Sequence, residues 1–203
     1  MLNLFSLAVL ILSVVIHEVS HGYMALRLGD PTAKYAGRLT LNPIKHLDPI
    51  GSVIIPIITT LMGVSFGWAK PVPFNPDNFR KSAFNVRWGE ALVALAGPMS
   101  NFIVAAVFGV AAHFVANQAA FSLFGLIVLV NITLGIFNLA PVPPLDGSKL
   151  LFALIPQRYS HVRVQLERHS LMLALFFIFF LWQFFEPIVF KLFALLMGVP
   201  LTL

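Results

Sequence analysis

The chain has no cysteine. That excludes a disulfide framework and any metal site built on thiolates. Charge is the second shortage. Asp, Glu, Lys and Arg make up 10% of the 203 residues, where a soluble domain carries about 25%. This is too little polar side chain to cover a water-facing surface. The 13 Lys and Arg give a formal net charge of +5, but they are scattered along the chain. They read as positive loops of a membrane protein, not as a nucleic-acid-binding face, so no nucleic-acid partner is expected. Low-complexity tracts and internal repeats are also absent.

Hydrophobic residues are plentiful: 59% of the chain, with a mean hydropathy of +0.90. The composition is that of a multi-spanning protein embedded in the lipid bilayer, and the length suits one compact helix bundle. A single membrane-embedded domain over 1–203 is expected, with a core over about 1–155 and a C-terminal helix over about 170–198. Apolar runs predict spans at about 2–27, 90–116, 121–155 and 170–198, with a weaker one at about 50–64. Met1 to Ile16 lacks the basic start and the small-x-small cleavage site of a signal peptide, so it reads as a retained helix. The fourth span is interrupted by "APVPPLDG", Ala140 to Gly147. Proline removes backbone donors, and irregular backbone at membrane depth persists only where protein or a water-filled cavity satisfies it. "GRLTLNP" (Gly37 to Pro43) and "GWAKPVPF" (Gly67 to Phe74) are expected to form short strands, the second an edge strand or extended strip because of Pro71 and Pro73. Such an edge would suit pairing with an unwound peptide.

Charge counting predicts the topology. If 50–64 dips in and returns, then Arg27, Lys34, Arg38, Lys45, Lys70, Arg80, Lys81, Arg87, Arg158, Arg163 and Arg168 share one side, with Lys191 on the other and Lys149 inside the fourth span. If it crosses, the split is seven against five. The positive-inside rule favours the first arrangement, with these loops in the cytoplasm.

Inside the first apolar run stands "HEVSH", His17 to His21. Residues four apart lie one turn apart on one helix face, so both imidazoles can grip one metal ion. Glu18 sits about 100° around the helix, within reach of water activated there. This is the zinc-hydrolase pattern with the glutamate as general base. An ionisable residue at membrane depth costs roughly 2.5–3.5 kcal/mol on insertion scales, so it marks function. With Arg27 at the boundary, His21 lies about 9 Å deep and His17 about 15 Å deep. A catalytic zinc takes a third protein ligand. Asp30, Asp48 and Asp77 fall in loops, and Glu90, Glu167 and Glu186 at helix ends or in a basic loop. Asp146 follows the proline break at up to about 18 Å depth, level with the histidines. Capping of a helix beginning at Gly147 is its alternative role.

"HEVSH" together with "NLAPVPPLDGSKL" resembles the site-2 protease family of intramembrane zinc metalloproteases. "GRLTLNPIKHLDPIGSVIIP", "FGWAKPVPFNPDNFR" and "ALAGPMSN" are similar to its short bacterial and archaeal members, the form without a PDZ or CBS domain. The resemblance covers most of residues 11–155. It implies one Zn2+ per chain on His17, His21 and Asp146, with Glu18 activating water. It also implies that Asn138 holds the substrate backbone or the developing oxyanion. The implied substrate is a transmembrane protein or peptide cut within or near its membrane segment, and the implied location is a bacterial or archaeal cell membrane; the charge count and the depth of the histidines put the site towards the cytoplasm. The expected fold is therefore an α-helical integral membrane protein: a polytopic bundle with short membrane-associated β-strands and a broken helix at the active site. Two other classes fit the same His/Asp set: a membrane metal transporter, which needs no Glu18 base, and a non-haem iron oxygenase. Gly97, Pro98, Asn101 and Gly22 read as packing residues. His46, His113, His161 and His169 are assigned to no metal. The aromatic run "LFFIFFLWQFF" reads as packing or lipid-facing.

Overall fold

A backbone in lipid must satisfy its N–H and C=O groups internally, which turns long apolar runs into helices. A computed structural model describes residues 4–48, 51, 70–80 and 86–200. Helix α1 spans Leu4–Leu28 and is followed by the short α2, Thr32–Tyr35. Helix α3 spans Val86–Ala112 and α4 Gln118–Leu139. Helices α1, α3 and α4 are each long and apolar enough to cross a membrane. Beyond a break over 140–146 come α5 (Gly147–Leu154), α6 (Ser160–Arg168), α7 (Ser170–Phe176) and α8 (Glu186–Met197).

Helices in lipid are held together by close packing more than by burial of apolar area. Helix α3 lies against both α1 and α4. Ala105 and Ala112 of α3 share a buried cluster with Val128, Ile132 and Ile136 of α4 and Val189 and Met197 of α8. Gly135 makes room for an aromatic ring: a Cβ there would stand 2.8 Å from Phe102 Cζ. Leu7, Leu12, Ile103, Val107 and Leu123 point outward and exposed, as faces towards acyl chains should.

Two expectations need correction. No strand forms among the described residues, and "GRLTLNP" is a turn leading into a 3₁₀ segment at Pro43–His46. Residues 70–75 of the second stretch have neither helix nor ladder; 67–69 lie outside the described residues. The cause is that side chains, not a neighbouring strand, take these backbone groups. Arg38 Nη2 donates to Lys70 O at 2.6 Å, Glu18 Oε2 accepts from Val72 N at 2.8 Å, and Asp30 Oδ2 accepts from Asn75 N at 2.7 Å. Pro71 and Pro73 have no N–H to give. The last span is not one helix either. A π-helical segment at Phe177–Leu181 and a 3₁₀ turn at Trp182–Phe184 separate α7 from α8, and the 157–168 and 170–184 stretches meet at 69°. Phe177 turns inward, 1% exposed, and packs with Ala140 and Leu145 of the break, while Phe176, Phe179, Phe180 and Phe184 face out. The 50–64 expectation lies outside the described residues apart from Gly51. The residues flanking it are joined, Lys70 N donating to His46 O at 2.9 Å.

Charged side chains tie one end of the bundle. Arg163 bonds Glu90 Oε2 of α3 and Glu167 Oε1 of its own helix, each at 3.1 Å, and Lys149 Nζ reaches Glu167 at 3.3 Å. Arg87 Nη1 donates to Ile155 O at 2.8 Å. The end of α1 is fastened by Asp30, which is fully buried. Its carboxylate accepts from Thr32 N, Thr32 Oγ1, Asn75 N and Asn78 Nδ2. Burial pushes this carboxyl up, but the hydrogen bonds from Asn78, Thr32 and Asn75 outweigh it and hold it below the ordinary carboxylate value. The sign follows: the stabilisation is complete above the unfolded value of about 3.9 and is lost as pH falls through the lower folded one. Asp30→Ala should therefore cost about 2–4 kcal/mol in denaturant unfolding at pH 7, with a smaller difference from wild type at the acid end. A pH-independent difference would show that the carboxylate charge contributes nothing.

Candidate metal centre

The site is assembled from α1, α3 and the break after α4. His17 and His21 sit one turn apart on the buried face of α1, 6% and 8% exposed. Their ring centroids lie 4.6 Å apart at 85°. Glu18, partly buried beside them, has its Oε2 on Val72 N. The break brings the third group. Its prolines, 141, 143 and 144, cannot continue the α4 ladder, so short turns take over: Val142 N donates to Ala140 O at 2.8 Å and Leu145 N to Val142 O at 2.9 Å. Gly147 is required where α5 begins, because a Cβ would collide with the Leu139 and Ala140 carbonyls. Asp146 stands at the N-cap of α5 but makes no capping hydrogen bond. Its carboxylate faces α1 instead: Oδ2 is 2.9 Å from His17 Nε2 and 3.3 Å from His21 Nε2. All three ligand atoms lie within 4.8 Å of one another.

The donor set fits a metal ion on three counts. Four-coordinate zinc with bonds of about 2.0–2.1 Å spaces its ligand atoms about 3.3 Å apart, the scale seen here. Each imidazole has its other nitrogen engaged with an oxygen: His17 Nδ1 donates to Asn101 Oδ1 at 2.6 Å and His21 Nδ1 to Val93 O at 2.7 Å. Both Nε2 atoms therefore present lone pairs to a carboxylate, an arrangement of three acceptors that a cation completes. Gly97 of α3 leaves the space open: a Cβ would stand 2.5 Å from Nε2 of both histidines.

Asn138, the remaining predicted site residue, donates through Nδ2 to Leu134 O at 2.9 Å, one turn back in its own helix. His46 is buried and bonds Thr40 O, His113 bonds Leu196 O and His169 bonds Gln165 O; none joins the cluster, nor does His161. Sequence reasoning missed Gly97, Asn101 and the Val93 carbonyl as parts of the site. Gly97 and Asn101 read as packing residues in the sequence, because which helix faces the histidines is a matter of packing.

The comparisons agree with this chemistry. The model of peptidase family M50 matches residues 106–181, which include Asp146. The chain is 39% identical over 189 residues to "Putative zinc metalloprotease YwhC" of Bacillus subtilis (strain 168), covering 88% of this chain and 79% of that protein. It belongs to peptidase family M50, the site-2 proteases. This M50 chain is 30% identical over 141 residues to a protein named Rip2 of Mycolicibacterium smegmatis, covering 68% of the chain and 52% of that relative. It is 28% identical over 155 residues to "Zinc metalloprotease MJ0392" of Methanocaldococcus jannaschii, covering 76% and 35%. No solved structure matches. The M50 chain is thus a membrane zinc metalloprotease, and its cofactor is Zn2+.

Because alanine is a better helix former than glycine, Gly97→Ala should leave the helix content unchanged while weakening zinc binding by about tenfold or more. Zinc competition against a chromophoric chelator reads this directly. Wild-type affinity in the variant would mean that the space over Gly97 does not belong to the metal.

Proposed function

We propose that this protein hydrolyses peptide bonds within or beside the transmembrane segments of membrane-anchored substrates, at a zinc ion held by His17, His21 and Asp146. The observation that carries the reading is that Asp146, from the break after α4, meets His17 and His21 well inside α1, a helix long enough to span the bilayer. His17 lies roughly 16 Å along α1 from its Leu28 end. A site at that depth suits a substrate that arrives laterally, through lipid.

When bound, zinc supplies a Lewis acid that polarises the scissile carbonyl and acidifies water. The chain does the rest. Glu18, turned about 100° from His17, stands beside the ligand face and acts as general base. The water oxygen bonds to the carbonyl carbon, and Glu18 takes the proton released. That proton then passes to the amine nitrogen as the C–N bond breaks. The Asn138 amide, turned from Leu134 O towards the substrate, donates to the developing oxyanion. Residues 1–203 act as one membrane-embedded unit in this reading.

The site opens towards the cytoplasm, with eleven of the cationic side chains on that side. Support comes from contacts at one end of the bundle: Arg87 with Ile155, Arg163 with Glu90, Arg80 N with Leu28 O, and Lys70 N with His46 O.

The test is reconstitution in proteoliposomes with a single-span substrate. Glu18→Gln should bind zinc at wild-type stoichiometry yet lose turnover by about 10²–10⁴-fold. Cleavage by the variant at the wild-type rate would sink the general-base assignment, and an uncut membrane segment the substrate assignment. Asn138→Leu should lower kcat by about 10²–10³-fold with KM little changed. An equal effect on KM would instead place Asn138 in substrate binding.

A further inference from the structure

Behind the metal ligands lies a chain of buried amides that the protease reading does not use. Asn101 and Asn131 are fully buried, and Ser13 is 3% exposed. They join three helices at membrane depth. Asn131 Nδ2 donates to Ile127 O of its own helix α4 and to Ser13 Oγ of α1, each at 2.9 Å. Asn131 Oδ1 accepts from Asn101 Nδ2 of α3 at 2.9 Å, and Asn101 Nδ2 also reaches Ser13 O at 3.3 Å. Asn101 Oδ1 in turn accepts from His17 Nδ1 at 2.6 Å.

The chain has a direction. A backbone carbonyl can only accept, so Ile127 O requires the NH2 side of Asn131. With that amide fixed, its oxygen must face Asn101, and an amide oxygen accepts only from the NH2 side of the second asparagine. Asn101 therefore presents its oxygen to His17. The proton of the neutral imidazole must then sit on Nδ1, leaving the Nε2 lone pair for the metal. We infer that Asn131 is a positioning residue for zinc: anchored on Ile127 O, it sets the orientation of the Asn101 amide and through it the tautomer and ring angle of His17. Asn131 touches neither ligand nor substrate; it reaches His17 through Asn101, while its bond to Ser13 Oγ holds α4 to α1. His21 has no need of such a relay, because its Nδ1 meets the Val93 carbonyl directly.

The inference rests on the zinc-protease reading, and one set of titrations separates the two. Zinc affinity is measured by chelator competition on the purified full chain in detergent, for wild type, Asn131→Leu, Asn101→Leu and the double variant. The visible spectrum of the cobalt-loaded forms is recorded alongside. Stoichiometric binding by wild type, lost in His17→Ala, is required by the protease reading and stands or falls first. Asn131→Leu should then weaken zinc by about 10–100-fold and shift the cobalt bands. The double variant should bind no worse than Asn101→Leu alone, because both changes cut one chain. A residue that only glues helices would lower the unfolding midpoint of the zinc-free protein and leave affinity and cobalt spectrum alone. Wild-type affinity in folded Asn131→Leu, or losses that multiply in the double variant, would overturn the inference. If Asn131→Leu does not fold, Asn131→Ser serves in the same comparison: it keeps a hydroxyl but is too short to bridge Ile127 and Asn101.

Discussion

Three groups that each offer a lone pair are pressed together in a medium with little water to solvate them, and the rest of the architecture is arranged around that fact. His17, His21 and Asp146 come from segments more than a hundred residues apart in sequence, yet the carboxylate lies within 3.3 Å of both imidazoles. Such a cluster repels itself unless a cation sits among its members. Everything that holds the segments in place, from the α1–α3–α4 packing to the prolines that end α4 before Asp146, serves to keep those acceptors in register. A glycine at position 97 and a carbonyl at position 93 show the same economy on α3. One leaves a volume empty, and the other receives the His21 Nδ1 proton.

The contribution of the chain outside the ligand triad is chiefly one of direction. Hydrogen bonds to the outer nitrogens leave each imidazole with its Nε2 lone pair inward. Asp146, which could have capped α5, makes no such bond and turns its Oδ2 to both imidazoles. The same logic extends to the periphery. Asp30 uses its carboxylate to fasten residues 75–78 to the end of α1, and that stretch continues from Val72, whose N–H holds Glu18.

The chemistry was legible where it depends on spacing along one helix. The placing of His17 and His21 on one face follows from the helical repeat alone, and the meeting of Asp146 with them follows from matching its depth to theirs. The broken fourth span was legible too, because proline cannot donate. What stayed hidden depends on which faces meet. Asn101 and Gly97 look like ordinary packing residues until α3 is laid on α1, and the polar Ser13 and Asn131 stand in apolar runs without any motif around them. The two expected strands misled because alternation of side chains says nothing about the partner for the backbone. For residues 70–75 that partner is a set of side chains: Arg38, Glu18 and Asp30. The last apolar run suggested one continuous helix, but it is rewound from Phe177 to Phe184, where Phe177 turns in against Ala140 and Leu145.

The contact between Glu18 and Val72 has a genetic side. The donor is a peptide N–H, so the contact depends on the backbone at position 72 and not on the chemistry of the valine side chain, which is buried. Proline alone would abolish it, although prolines stand on either side. Valine and proline codons differ in both of their leading bases, so no single-base change makes that exchange. The carboxylate of Glu18 thus leans on a partner that point mutation has difficulty removing.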